Sequence, residues 1–295
     1  LRAFIQVEGA QSGASGRAVA AAKVVADPDH DLPIGPLGSG SDYSSFIGHL
    51  GLAAINFGFG GEGNSGGVYH SAYDTWEHHL ALDDPGLTYS GALAKVGGRL
   101  VMRIADSDLP VQRYGNFAET VATYSDEIKR LADSKREAQQ VQARLIAGGM
   151  YKLADDPTRT NGPPTPLAPV PYFNFAPLDN AIAHLKRSAK AYDQALAAKG
   201  AGLTPEAKAK LFEMQRSLEL ALTNDVGLPG RPWYKNLVYA PGRFTGYGAK
   251  TLPGVREAIE EERWADADKY SVLTAQALET YASRLDDAAK LINGG

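Results

Sequence analysis

The sequence predicts an α/β layer over residues 1–112 followed by an all-α helical bundle over residues 113–295. Three observations carry this. Glycine is dense and apolar runs are short up to about residue 112. From there on, apolar residues recur at alternating steps of three and four. The helical stretch is broken only by two segments rich in proline and glycine.

In the first part, Leu1-Arg2-Ala3-Phe4-Ile5-Gln6-Val7 opens without an initiator Met and reads as a strand already under way. It lacks the basic stretch and long apolar core of a signal peptide, so the chain reads as a portion of a longer protein or a processed product. A second strand fits 52–57, and short helices fit 15–27, 41–50 and 87–106. Strands alternating with helices predict layers. The helix over 87–106 gathers Leu93, Val96, Leu100, Val101 and Ile104 on one side, a face for packing on a sheet.

Beyond residue 113, Phe117, Val121, Tyr124, Ile128 and Leu131 form one helical stripe, and Leu178, Ile182, Leu185, Ala189, Tyr192 and Leu196 form another. A third helix has its start written in the sequence: Thr204 as N-cap, Pro205 in the first helical position and Glu206 in the first turn. Its stripe is Ala207, Leu211, Met214, Leu218 and Ala221. The last helix spans about 265–292, with Leu273, Ala277, Tyr281, Leu285 and Ile292 on one side. Helices with such stripes need a shared core, and a bundle supplies one. The proline-rich stretch 156–177 predicts a stiff, extended connector. The stretch 225–254 reads as a long loop, whose aromatics Trp233, Tyr234, Tyr239, Phe244 and Tyr247 argue for order.

Composition narrows the function. The chain has 295 residues, of which 44% are hydrophobic and 22% charged, and a formal charge of −4. That balance gives no broad attraction to nucleic acid or to an anionic membrane. No apolar run approaches the ~18 residues that span a bilayer. Cysteine is absent, which removes disulfides, thiolate zinc ligands and thiol catalysis together.

Candidate chemistry gathers around the histidines. In Val68-Tyr69-His70-Ser71-Ala72-Tyr73-Asp74-Thr75-Trp76-Glu77-His78-His79, a helix would put His70, Asp74 and His78 on one face, a spacing that suits a metal or simply a polar surface. Glu77 with Asp74, or Asp83 with Asp84, reads either as an acid/base pair or as an exposed carboxylate cluster. Leu37-Gly38-Ser39-Gly40-Ser41-Asp42 is neither a nucleophile elbow nor a Walker loop. Gly58-Phe59-Gly60-Gly61-Glu62-Gly63 fits a dinucleotide fingerprint only formally, within a run too glycine-rich to discriminate.

Three stretches taken together are specific: Leu37-Gly38-Ser39-Gly40-Ser41-Asp42-Tyr43; Tyr69-His70-Ser71-Ala72-Tyr73-Asp74-Thr75; and Gly227-Leu228-Pro229-Gly230-Arg231-Pro232-Trp233-Tyr234, with Val238-Tyr239-Ala240-Pro241 just after. In this order and at these separations they resemble the glutamate carboxypeptidase II and transferrin receptor family of M28 metallopeptidases, from about residue 35 to 292. The resemblance implies that residues 1–112 are the C-terminal part of a peptidase domain and that 113–295 form a helical dimerisation domain.

It further implies a di-zinc centre whose ligands are two His, a bridging Asp, a Glu and another Asp, with a further Glu as general base. His70 matches the last ligand, and the others would lie upstream of Leu1. Tyr69 matches a tyrosine that steadies the tetrahedral intermediate, and Tyr247 one that binds the α-carboxylate of a peptide substrate. Ser39, Gly40 and Ser41 match a loop lining the substrate cleft. The implied parent is an extracellular or periplasmic homodimer. This chain by itself, with one ligand of the set, would hydrolyse nothing, and a purely non-catalytic dimerisation module is the other reading.

The pattern departs from the family at Gly246, where glutamate-preferring members have a Lys, and at Asn56 and Gly58, where they carry arginines. Lost positive charge weakens recognition of an acidic side chain, so the resemblance extends equally to a broader specificity.

Overall fold

The long stripe of the final helix is buried mainly against a second long helix, and that pair organises the larger part of the fold. In this computed structural model the described residues are 35–58, 67–153, 158 and 162–294. They fall into two compact units, one built from residues up to 37 and from 55–111, the other from 38–54 and from 112 onward.

In the first unit, helix α1 spans Thr88–Ala105. Its N-terminus has no side-chain cap from its own flank; instead Asp84 accepts from the backbone N–H groups of Tyr89 (3.0 Å) and Ser90 (2.7 Å). Residues 51–58, expected to contain a strand over 52–57, have no ladder partner among the described residues and are irregular. Phe57 instead packs by its ring on α1 at Gly97. The expected strand over 2–7 and helix over 15–27 lie outside the described residues. Of the apolar face read for α1, Leu93, Val96 and Leu100 are half-buried, whereas Val101 and Ile104 are exposed. The described part of this unit therefore holds the expected helix but no sheet.

The second unit holds helices α2 (Tyr114–Ala147), α3 (Ala176–Lys199), α4 (Pro205–Arg216), α5 (Pro253–Glu260) and α6 (Trp264–Gly294). A two-stranded antiparallel hairpin joins β1 (Tyr239–Pro241) to β2 (Ala249–Thr251), with Tyr239 opposite Thr251 and Pro241 opposite Ala249. The α3–α6 pair buries Leu178, Ile182, Leu185 and Ala189 from α3 and Leu278, Ala282, Leu285 and Ile292 from α6. Alanines interleaved with leucines let the two backbones approach closely.

The α2 stripe lies a little to one side of the expected one. Val121 and Ile128 are buried as read, but the other buried positions are the small or amphipathic Tyr114, Ala118, Ser125 and Ala132, with Phe117, Tyr124 and Leu131 half-buried beside them. At the start of α2 a buried tyrosine cluster forms. Tyr114 meets Tyr192 edge-on at 5.1 Å and Tyr281 at 6.0 Å, and Phe117 lies 5.1 Å from Tyr281. Burial pushes all three phenols well above their ordinary pKa, so they stay neutral.

The start of α4 is as read: Thr204 accepts from Ala207 N–H at 3.2 Å, with Pro205 in the first turn. Its stripe continues across a break at Ser217 into the short turn Leu218–Ala221. Residues 162–175 form no regular structure, and Pro177 enters the first turn of α3. The long loop read over 225–254 is ordered, containing the hairpin and the start of α5, an element the spacing of apolar residues does not announce. Among the described residues no helix is long and apolar enough to cross a membrane.

Candidate functional site

The segment 38–54 is clasped by the loop that precedes and contains the hairpin. Asn236, fully buried, donates through its side-chain N–H to Ile47 O at 3.3 Å, while its side-chain oxygen accepts from Val238 N–H (2.9 Å) and Tyr239 N–H (3.1 Å). Lys235 N–H donates to Gly48 O at 2.7 Å. The His49 ring stacks on Trp233 at 5.0 Å, with Nδ1 2.8 Å from the Trp233 carbonyl oxygen. Residues 43–50 are helical as expected, as one α turn running into a π turn.

At the start of this strap, Ser39, Gly40 and Tyr247 come together. Ser39 N–H donates to Tyr247 O at 3.2 Å, and Ser39 Oγ donates to Gly246 O at 3.4 Å. Tyr43 holds the strap from below, its hydroxyl donating to Ser39 O at 3.0 Å. The approach demands glycine. A Cβ on Gly38 would lie 2.1 Å from Tyr247 O, and one on Gly40, whose φ is +98°, would lie 2.6 Å from Tyr247 Cδ1. Ser41 accepts from Ser44 Oγ at 2.8 Å and turns the strap into the helix. The Tyr247 side chain remains 59% exposed, so its ring rests on Gly40 while much of it faces outward.

Tyr247 sits in the turn between β1 and β2, and that turn is tied down from beneath. Glu257 of α5, 3% exposed, accepts from Arg231 Nη2 at 2.6 Å and from Arg243 N–H at 2.7 Å. Arg231 Nη1 also donates to Pro241 O. Within the turn, Gly242 N–H donates to Gly248 O (2.9 Å) and Thr245 Oγ1 to the same oxygen (2.7 Å). The Gly-Leu-Pro-Gly-Arg-Pro stretch thus carries a half-buried guanidinium that supports the turn. Arg231 stood inside a stretch the sequence singles out, whereas Glu257 had no sequence signal beyond being one acidic residue in an amphipathic run.

His70 and Tyr69 belong to the first unit. Their rings stack at 3.8 Å, both side chains are exposed, and His70 has a φ of +60°. This corrects the helical arrangement considered for His70, Asp74 and His78. Residues 67–73 are turns, and helix begins only at Trp76, where Thr75 accepts from His78 N–H at 3.2 Å. His78 pairs instead with Asp83, at 3.3 Å. Among the described residues no group of three or more His, Asp and Glu side chains is arranged to hold a metal ion.

Residues 173–286 match the family model of the transferrin receptor-like dimerisation domain. A probable glutamate carboxypeptidase of Arthroderma benhamiae is 28% identical over 260 residues, covering 85% of this chain and 30% of the relative. The probable glutamate carboxypeptidase LAMP1 of Arabidopsis thaliana is 29% identical over 226 residues, 77% of this chain and 27% of the relative. Aminopeptidase NAALADL1 of Rattus norvegicus is 23% identical over 272 residues, 88% of this chain and 32% of the relative. These matches support the glutamate carboxypeptidase II and transferrin receptor family, and within it the C-terminal portion. The chain spans about a third of the length of these curated relatives.

Proposed function

We propose that this chain is the C-terminal portion of a zinc-dependent, carboxypeptidase-like peptidase, supplying part of its substrate site and its dimerising helices. The observation that carries the reading is the seat of Tyr247 on Ser39 and Gly40. Two stretches about 200 residues apart, each matching a substrate-lining part of the family on sequence alone, meet through the Ser39 hydrogen bonds. In this reading Tyr247 offers its hydroxyl to the α-carboxylate of a peptide, and Ser39, Gly40 and Ser41 line the same cleft.

His70 serves as one ligand of a di-zinc centre, a role suited to an exposed imidazole. The remaining ligands come from other parts of the longer protein. Bound zinc supplies Lewis acidity and an activated water. Tyr69, stacked on His70, donates a hydrogen bond to the oxyanion that develops at the scissile carbonyl. Glycine at 246 and the absence of arginine at Asn56 and Gly58 favour a specificity broader than glutamate.

Metal analysis and peptide hydrolysis on the full-length protein test this. We expect bound zinc and release of C-terminal amino acids, with Tyr247→Phe raising KM. A metal-free protein that hydrolyses no peptide would overturn it. The second reading, a non-catalytic dimerisation module, is favoured by the match of residues 173–286 to the dimerisation domain and would be left standing by that result.

A further inference from the structure

We infer that Glu257 is a positioning residue for the substrate site: it anchors the entry side of the turn that presents Tyr247, directly at Arg243 and through Arg231 at the end of β1. One carboxylate oxygen holds the backbone N–H of Arg243, which opens the turn. The other holds the guanidinium of Arg231, whose second nitrogen reaches Pro241 O at the end of β1. Pro241 pairs with Ala249, which follows the turn on β2. One buried carboxylate therefore fixes the entry to the turn directly and the strand beneath it through Arg231. Tyr247 and Gly246, at the tip, present the carbonyls that Ser39 grips.

Glu257 touches no exposed surface where a substrate could reach it, being 3% exposed, so it acts only through the turn. A charged acceptor is needed because both donors point at it, and a neutral amide can accept from only one of them without turning its own N–H groups toward the other. The inference rests on the reading of Tyr247 as the carboxylate-binding tyrosine, and its test separates the two.

The full-length protein is assayed with a blocked dipeptide bearing a free C-terminal carboxylate and with its C-terminal amide. For Glu257→Gln, KM for the acid rises about tenfold while kcat stays within about twofold and KM for the amide is unchanged. Arg231→Lys, which keeps the charge but loses the fork that reaches Glu257 and Pro241 together, gives the same split. In a Tyr247→Phe background, Glu257→Gln adds nothing further to KM for the acid. Unaltered KM in both variants, or a fall in kcat shared by both substrates as from a reduced folded fraction, overturns the inference.

Amide hydrogen exchange over residues 243–248 gives a readout that needs no turnover. Exchange there accelerates in Glu257→Gln while the α3–α6 amides stay protected. If the wild-type protein hydrolyses neither substrate, the peptidase reading falls and exchange alone decides the anchoring, with unchanged exchange over 243–248 overturning it.

Discussion

At the scale of single residues, two kinds of chemistry stand out. Gly40 is constrained twice, by its positive φ and by the Tyr247 ring at the position of its missing Cβ. Gly40→Ala is expected to lower stability by about 1–2 kcal/mol and to displace Tyr247, read from urea denaturation together with exchange of the 246–248 amides. His184 is bonded at both ring nitrogens, Nδ1 at 2.6 Å from Glu279 and Nε2 at 2.9 Å from Asp286. Only the imidazolium donates from both, and the hydrogen bonds to Glu279 and then Asp286 raise its pKa above the ordinary value near 6.5. A raised folded-state pKa means a stabilising contribution that is complete below about pH 6.5 and fades as pH rises through the folded value. His184→Gln should therefore lose more Tm relative to wild type at pH 5.5 than at pH 8.5. The Gly-Ser-Gly strap and Tyr247 were legible because their residue types form short stretches of specific order. Glu257 and the carboxylates around His184 were not, because their partners are 14 to 102 residues away and spacing says nothing about such pairs.

Helices α4 and α2 show two ways to satisfy an N-terminus. Thr204 caps α4 from the adjacent position, a signal plain in the sequence. Helix α2 has no cap of its own. Asp193 of α3 reaches across and accepts from Tyr114 N–H at 3.1 Å and Gly115 N–H at 2.8 Å. Thr204→Ala should cost about 1 kcal/mol, and Asp193→Ala about 1–2 kcal/mol because two part-buried donors lose their acceptor. Denaturant midpoints of the two variants measured side by side check the order. The same contrast explains which elements could be read. The long helices carry uninterrupted apolar stripes, while α5 is eight residues long, starts at Pro253-Gly254 and sits in a segment full of helix breakers. The strand read over 52–57 finds no ladder partner among the described residues, and a β-like composition alone does not make a strand without a neighbour to bond.

For the molecule as a whole, the helical unit is expected to bring two copies together. The dimerisation-domain match over residues 173–286 motivates this, and closed two-fold pairing is the commonest arrangement of like subunits. Sedimentation of the full-length protein should show a dimer at micromolar concentration, and a monomer there would count against it. The core of this unit is built on fully buried leucines. Leu185→Ala or Leu278→Ala, both fully buried, should cost about 2–5 kcal/mol and weaken self-association along with folding. The bundle was legible from periodicity alone. The incorporation of 38–54 into the helical unit was not, because it depends on backbone carbonyls of Ile47 and Gly48, which carry no sequence signature.

That strap has a consequence in time. Ile47 O waits for the side chain of Asn236, 189 residues later in the chain. At ribosomal speeds of roughly 5–20 residues per second, about 10–40 seconds separate the synthesis of the two. Through that interval Ile47 has been made while the loop that receives it has not. The nascent chain must keep the short helix that carries it from finding another partner until residues 233–247 emerge, so chaperone dependence during synthesis should track the strap rather than the bundle.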